Sequence, residues 1–231
     1  QVATVTISSA VNLLIVGLWE LLGDHVAALD WVGRLLGAKG RVLPMALTPM
    51  DITAQVRGLA PADPDALVPV RGQVEIATTD GVIASIALDP ADPPAAPAAL
   101  DAIAGADWVF LGPGSWFTSV IPHLMVPALR DALAATPAQV VVVLNLAEQA
   151  GETPGFGPAD HLAVLLEHAP ALKVDTVLAD ESSVGDDLAE LREAVAACGA
   201  RLVLGDVSLA DGTPRHDPVK LAAAYASIMA G

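Results

Sequence analysis

The stretch Trp108-Val-Phe-Leu-Gly-Pro-Gly-Ser-Trp-Phe-Thr-Ser119 decides the fold. Four apolar residues in a row, with no polar alternation, read as a strand covered on both faces, and Gly-Pro-Gly-Ser reads as its exit turn. The pattern recurs outward from it. Trp108 to Leu111, Val140 to Leu144, Val174 to Leu178 and Arg201 to Leu204 are short apolar runs. Between them apolar residues repeat at helical spacing: Leu162, Leu165, Leu166, Ala169; Leu188, Leu191, Val195, Cys198; Leu221, Ala224, Tyr225, Ile228. Buried strands alternating with one-faced helices predict an α/β, Rossmann-like, doubly wound fold: a mostly parallel sheet with helices on both faces. Pro158 and Pro218 suit first helical positions, Asp186 and Asp217 suit N-caps, and Gly199 suits a helix stop.

The first half reads differently. Ala10 to Leu22 predicts a helix with Leu14, Leu18, Leu21 and Leu22 on one face, and Ala27 to Leu36 predicts a second. From Val42 the pattern turns to strands: Val42 to Leu47, Ile52 to Val56, then Gln73 to Ala77 and Val82 to Leu88 joined as a hairpin at Asp80-Gly81. Asp89 to Pro97, with four prolines, reads as a surface loop. The expectation is a single domain over residues 1–231, with 42–90 as a strand-rich hairpin extension.

Composition narrows the function. Eleven Lys and Arg against 27 Asp and Glu give a net charge of −16, which opposes a generic nucleic-acid or anionic-membrane partner. An anionic ligand must then be captured by local donors, chiefly backbone amides. Hydrophobic residues at 54%, charged residues at 16% and a mean hydropathy of +0.56 support a large core. No apolar run approaches the roughly 20 residues of a membrane span. A single Cys198, and an N-terminus without an export pattern, lead to the expectation of a cytoplasmic protein without disulfides. Weakly charged, Ala-rich helices are compatible with a homodimer interface.

In open α/β sheets ligands bind beyond the carboxyl ends of the strands, so the loops after Leu111, Leu144, Leu178 and Leu204 carry the candidate site. In Gly112-Pro-Gly-Ser-Trp-Phe-Thr-Ser119, glycine permits close approach. Successive amides with the hydroxyls of Ser115, Thr118 and Ser119 form an anion-binding concavity. The alternative is a tight turn with no ligand. In Asn145-Leu-Ala-Glu-Gln-Ala-Gly-Glu-Thr153, Asn145 is placed to hydrogen-bond a ligand, and Glu148 or Glu152 to act as a base, hold a metal or lie in a solvated loop. Asp180-Glu181 and Asp186-Asp187 read as a metal pair or, better, as a solvated loop with an N-cap. Arg215 and His216 precede the last helix, where Arg215 can grip a phosphate with two hydrogen bonds. His25, His123, His161 and His168 show no metal spacing. Dinucleotide-binding, Walker A, nucleophile-elbow and zinc-protease motifs are not found in the sequence.

The run from Ala106 to Pro127 closely resembles the YvcK-like gluconeogenesis-factor family of the CofD-like (2-phospho-L-lactate transferase) superfamily. Asn12-Leu-Leu, Gly40-Arg-Val-Leu-Pro44, Gly72 to Pro90, Asn145-Leu with Gly151-Glu-Thr, and Arg215-His-Asp match in the same order. Trp116 and Phe117 depart from the usual Leu-Tyr pair. The family's opening strand with a Gly-Gly-Gly-Thr-Gly-like loop, and its Asp-Asp-Gly-Gly-Ser-Ser-Gly-like loop, do not occur in these residues. A backbone break within the first dozen residues is therefore expected. The resemblance implies a Rossmann-like factor that binds a nucleotide sugar such as UDP-N-acetylglucosamine and supports cell shape and peptidoglycan synthesis during gluconeogenic growth. Its implied ligand residues are Asn12, Gly112, Pro113, Gly114, Ser115, Phe117, Thr118, Ser119, Asn145, Arg215 and His216, with no catalytic set. The alternative it implies is a phospholactyl transferase acting on a nucleotide-activated donor, for which Mg²⁺ would assist.

Overall fold

The computed structural model describes residues 2–149 and 151–231, with side chains from residue 11 onward. The four apolar runs become β4 (Trp108–Leu111), β5 (Gln139–Val143), β6 (Thr176–Asp180) and β7 (Arg201–Gly205) of one parallel sheet, in the spatial order β4-β5-β6-β7. β5 and β6 lie in the middle, so Val140 to Val143 and Val177 to Ala179 are almost fully buried. On one face, Val140, Val142, Val177 and Ala179 pack under α5 (Ile121–Met125), α6 (Pro127–Ala135), α7 (Pro158–His168) and α9 (Leu188–Ala197). On the other, Val141, Val143 and Leu178 pack against Ile228, Leu221 and Tyr225 of α10 (Pro218–Ala230). Helices thus cover both faces, and each pleat's alternation supplies one side chain to each core.

A second sheet is three-stranded and antiparallel, in the order β2-β1-β3, from β1 (Asp51–Arg57), β2 (Val68–Arg71) and β3 (Val82–Asp89). It forms the expected strand-rich extension with different pairing. Gln73 to Ala77 is not a strand: it is the helical turn α3, and β3 pairs with β1 from Asp51↔Asp89 to Arg57↔Val82. A five-residue segment with apolar Val74 and Ile76 fits one helical turn as well as a strand, and periodicity cannot separate them. Gly72, at φ +107, turns the chain out of β2. Gln73 then donates its side-chain amide to the Thr118 carbonyl at 3.0 Å, fixing α3 against the loop that follows β4. Gly81 is needed for contact rather than for a hairpin, since a Cβ there would sit 2.4 Å from the Arg57 carbonyl. Val42 to Leu47 forms only the isolated bridge Ala46↔Ala95, because Pro44 removes a ladder donor from a short run.

The N-terminal helices are α1 (Val2–Leu22) and α2 (His25–Leu35). Sequence periodicity missed α4 (Pro97–Ala104), α5 and α6, each short and begun by or containing an early proline. The N-cap role given to Asp186 is also corrected. Asp180 caps α8 (Glu181–Val184), while Asp187 precedes α9 without a side-chain cap bond. Asp217 caps α10, accepting from the amides of Val219 and Lys220. No helix among the described residues is long and apolar enough to cross a membrane.

Candidate functional site

Parallel pairing brings the ends of β4 to β7 to one edge of the sheet, and their exit loops meet there. Gly112 leaves β4 at φ +85, with its missing Cβ only 2.6 Å from the Val143 carbonyl oxygen at the end of β5. A side chain would clash with backbone, so the close approach requires glycine. Gly114 is then gripped at both main-chain groups by one amide: its N–H donates to Asn145 Oδ1 at 3.2 Å, and its carbonyl accepts from Asn145 Nδ2 at 2.9 Å. The same Nδ2 also donates to Gln149 Oε1 at 3.1 Å, which accepts the Trp116 amide at 3.0 Å.

The donors assigned from sequence to an outside anion have an internal acceptor. Glu152, 2% exposed, accepts the Ser115 hydroxyl at 2.8 Å and the Thr118 hydroxyl at 2.6 Å on Oε1, and the Phe117 amide at 2.9 Å on Oε2. The loop enters a π-helical turn, Trp116–Val120, around this carboxylate. Glu152 is therefore neither solvated nor a free base, and Phe117 and Thr118 are buried inside the turn. No short-range pattern signals a contact made across 34 to 37 residues.

Above this turn lies an open cavity of about 610 Å³ lined by Pro113, Gly114, Ser115, residues 145–149, Pro214, Arg215 and His216. Six of the expected ligand residues, Pro113, Gly114, Ser115, Asn145, Arg215 and His216, thus share one chamber. Gly112 and Ser119 do not line it: with Gly114 they border a separate apolar cavity of about 380 Å³ behind the loop. Asn12 stands exposed on α1, far along the chain from the strand ends, and lines neither cavity.

Arg215 is exposed, and among the described residues it makes no ion pair. Its main chain is pinned by Leu209 N–H donating to its carbonyl at 2.8 Å and by the Ser208↔His216 bridge. The backbone is fixed while the guanidinium faces solvent at the cavity rim. Lys220 is already committed, donating to Asp206 at 2.7 Å and to the Ser208 carbonyl at 3.0 Å. His216 is half-buried with Nε2 unpartnered, and burial pushes its imidazole below the usual value against the pull of Asp180. It enters the cavity wall as a neutral ring.

Asp180 is also corrected: it is buried at 3% exposure and serves as a structural hub. Its Oδ1 accepts the amides and hydroxyls of Ser182 and Ser183, and its Oδ2 accepts the amides of Val207 at 2.9 Å and Ser208 at 3.0 Å. Burial alone raises its carboxyl, but the Ser182 hydroxyl, the Val207 amide and the Ser183 donors outweigh it and hold the pKa at about 2. This carboxylate ties β6 to the β7 exit loop that carries Arg215.

The model of the family described as 2-phospho-L-lactate transferase CofD matches residues 4–209. The chain belongs to this family. Within the CofD superfamily it is YvcK-like. A Mycobacterium tuberculosis protein is 49% identical over 221 residues, covering 95% of this chain and 64% of that protein. The gluconeogenesis factor of Listeria innocua is 28% identical over 228 residues, covering 94% of this chain and 68% of that protein. A Bacillus halodurans structure, described as a member of the UPF0052 family, superposes with a TM-score of 0.78 at 26% identity, over 92% of this chain and 70% of that one. The chain thus spans 64% of the length of the Mycobacterium tuberculosis relative and 61% of that of the Mycobacterium leprae one.

The Mg²⁺ that the transferase reading brings with it finds no ready set of protein ligands. Glu152 and Asp180 are saturated by internal donors, and Glu148 accepts from the Gly155 amide. Among the described residues no three His, Cys, Asp or Glu side chains converge on one metal position.

Proposed function

We propose that this CofD-family chain is a nucleotide-sugar-binding factor of the UDP-N-acetylglucosamine type, supporting cell shape and peptidoglycan synthesis during gluconeogenic growth. One observation carries the reading: Arg215, without an ion pair among the described residues, stands at the rim of the 610 Å³ cavity that Gly114 and Ser115 line. A diphosphate there meets a cation that can hydrogen-bond it at two points, in a chain of −16, while the Gly114, Trp116 and Phe117 amides beside it remain committed to Asn145, Gln149 and Glu152. The cavity is also of the size that buries a small ligand, within the ~300 to 1,000 Å³ of ordinary sites.

The test is thermal unfolding of the full chain with UDP-N-acetylglucosamine at millimolar concentration. The expected result is a raised melting temperature that Arg215→Ala diminishes. No shift with any UDP-sugar overturns the reading.

The family model's own description favours a second reading, phospholactyl transfer from a nucleotide-activated donor. Incubation with guanylylated phospholactate, a deazaflavin acceptor and Mg²⁺, followed by mass spectrometry, separates the two. A phospholactylated deazaflavin would replace the first reading with the second.

A further inference from the structure

Beside the Arg215 cavity lies a second one of about 360 Å³, and residues 145–148 form a wall common to both. The second cavity runs under the start of α7, between β5 and β6, and its polar groups share one character. His161, 2% exposed, lines it with Nε2 unpartnered. Its Nδ1 lies 2.9 Å from the Gly157 carbonyl, which can only accept, so in the neutral ring Nδ1 holds the proton and Nε2 is a bare acceptor. Asp187 supplies a carboxylate of this cavity alone, and Glu148, which also accepts the Gly155 amide, supplies one on the wall shared with the Arg215 cavity; both are acceptors only. The remaining polar groups are already spent: Ser183 donates its hydroxyl to Asp180, Asp180 is saturated, and the Asn145 amide is committed to Gly114 and Gln149. Phe156 adds an apolar ring, packed edge-on to His161 at 5.5 Å.

Acceptors without cations repel a phosphate. They match a neutral ligand part that is rich in O–H and N–H donors and has an apolar ring face. We propose that this cavity is the glycosyl subsite: the sugar hydroxyls and amide N–H donate to His161 Nε2, Glu148 and Asp187, its ring lies against Phe156, and the diphosphate stays with Arg215. Of the two cavities only the first holds a cation, Arg215, and that divides the ligand. The two adjoin along residues 145–148, over which one molecule would reach from one to the other. This assignment rests on the nucleotide-sugar reading and adds to it a direction of binding.

Isothermal titration of the full chain with UDP and with UDP-N-acetylglucosamine tests it. The sugar nucleotide is expected to bind at least tenfold more tightly than UDP. Asp187→Asn and His161→Gln are each expected to remove most of that difference while leaving UDP affinity unchanged, whereas Arg215→Ala weakens both ligands. Asp187 is exposed, so its variant folds even where the buried His161→Gln does not. On the unaltered chain, the ¹⁵N resonance of His161 Nε2 moves with the sugar nucleotide and not with UDP. Equal affinity for UDP and UDP-N-acetylglucosamine, with no movement of that resonance, overturns the subsite and leaves nucleotide binding standing. Binding of neither ligand overturns both.

Discussion

The carboxylate of Glu152 lies 2.6 Å from the hydroxyl of Thr118, and both side chains are withdrawn from solvent. With the Ser115 hydroxyl and the Phe117 amide on the same group, the glycine loop is shaped from within before any ligand arrives. Glu152→Gln places an amide N–H₂ against one of these donors, and Glu152→Ala leaves them buried and unpaired. Each is expected to cost about 2 to 4 kcal/mol, read from urea unfolding. Unchanged stability in both would show that the internal carboxylate does not hold the loop.

Two glycines separate the effect of backbone conformation from that of contact. Gly112 and Gly199 both have positive φ, +85 and +76, but a Cβ at Gly112 would lie 2.6 Å from the Val143 carbonyl oxygen, while one at Gly199 meets nothing within 4 Å. Gly199→Ala is expected to cost about 1 kcal/mol, the strain of the left-handed conformation alone. Gly112→Ala is expected to cost clearly more and to weaken UDP-sugar binding as well, because the β4 exit must move. Equal destabilisation in chemical unfolding would refute the contact.

Burial lowers the imidazoles of His161 and His216 below their ordinary value, and the unfolded chain binds protons that the native state refuses. Stability from this source is present above about pH 6.5 and falls as the pH drops through that value. Asp180 acts further down: with its folded pKa at about 2, its contribution is full above the unfolded value of 3.8 and is lost between 3.8 and about 2. Melting temperatures measured from about pH 8 to 3 should decline in these two steps. A flat profile from about pH 7.5 to 5 would contradict the first.

The α1–α2 hairpin carries the largest share of exposed large apolar side chains, with Leu13, Leu21, Trp31, Leu35, Leu36 and Val42 each more than half exposed. Residues 11–42 also balance, with Glu20, Asp24 and Asp30 against Arg34, Lys39 and Arg41, in a chain of −16 overall. Two copies can therefore approach here without the like-charge repulsion met elsewhere. Light scattering is expected to give a dimer that Leu21→Glu with Leu35→Glu dissociates. A monomer at about 100 µM would refute it.

How much was legible from sequence follows from where each signal resides. The strands of the parallel sheet and the helices α7, α9 and α10, the first and last of these opened by a proline, are encoded by periodicity within about a dozen residues, so the sequence places β4 at its observed bounds and the other three strands to within two residues. Looking to the carboxyl ends of the strands follows from parallel connectivity alone, and the structure brings Gly114, Ser115, Asn145, Arg215 and His216 together there around one cavity. What the sequence determined by itself is this scaffold and the edge on which a ligand would sit. The tertiary structure alone decided how each polar group is used. Glu152 reaches back 34 residues to Thr118, Asp180 reaches forward 27 to Val207, and β3 passes its neighbour in sequence to pair with β1. A carboxylate carries the same letter whether it is solvated, capping or buried among donors. Only the long-range packing that removes its water fixes which.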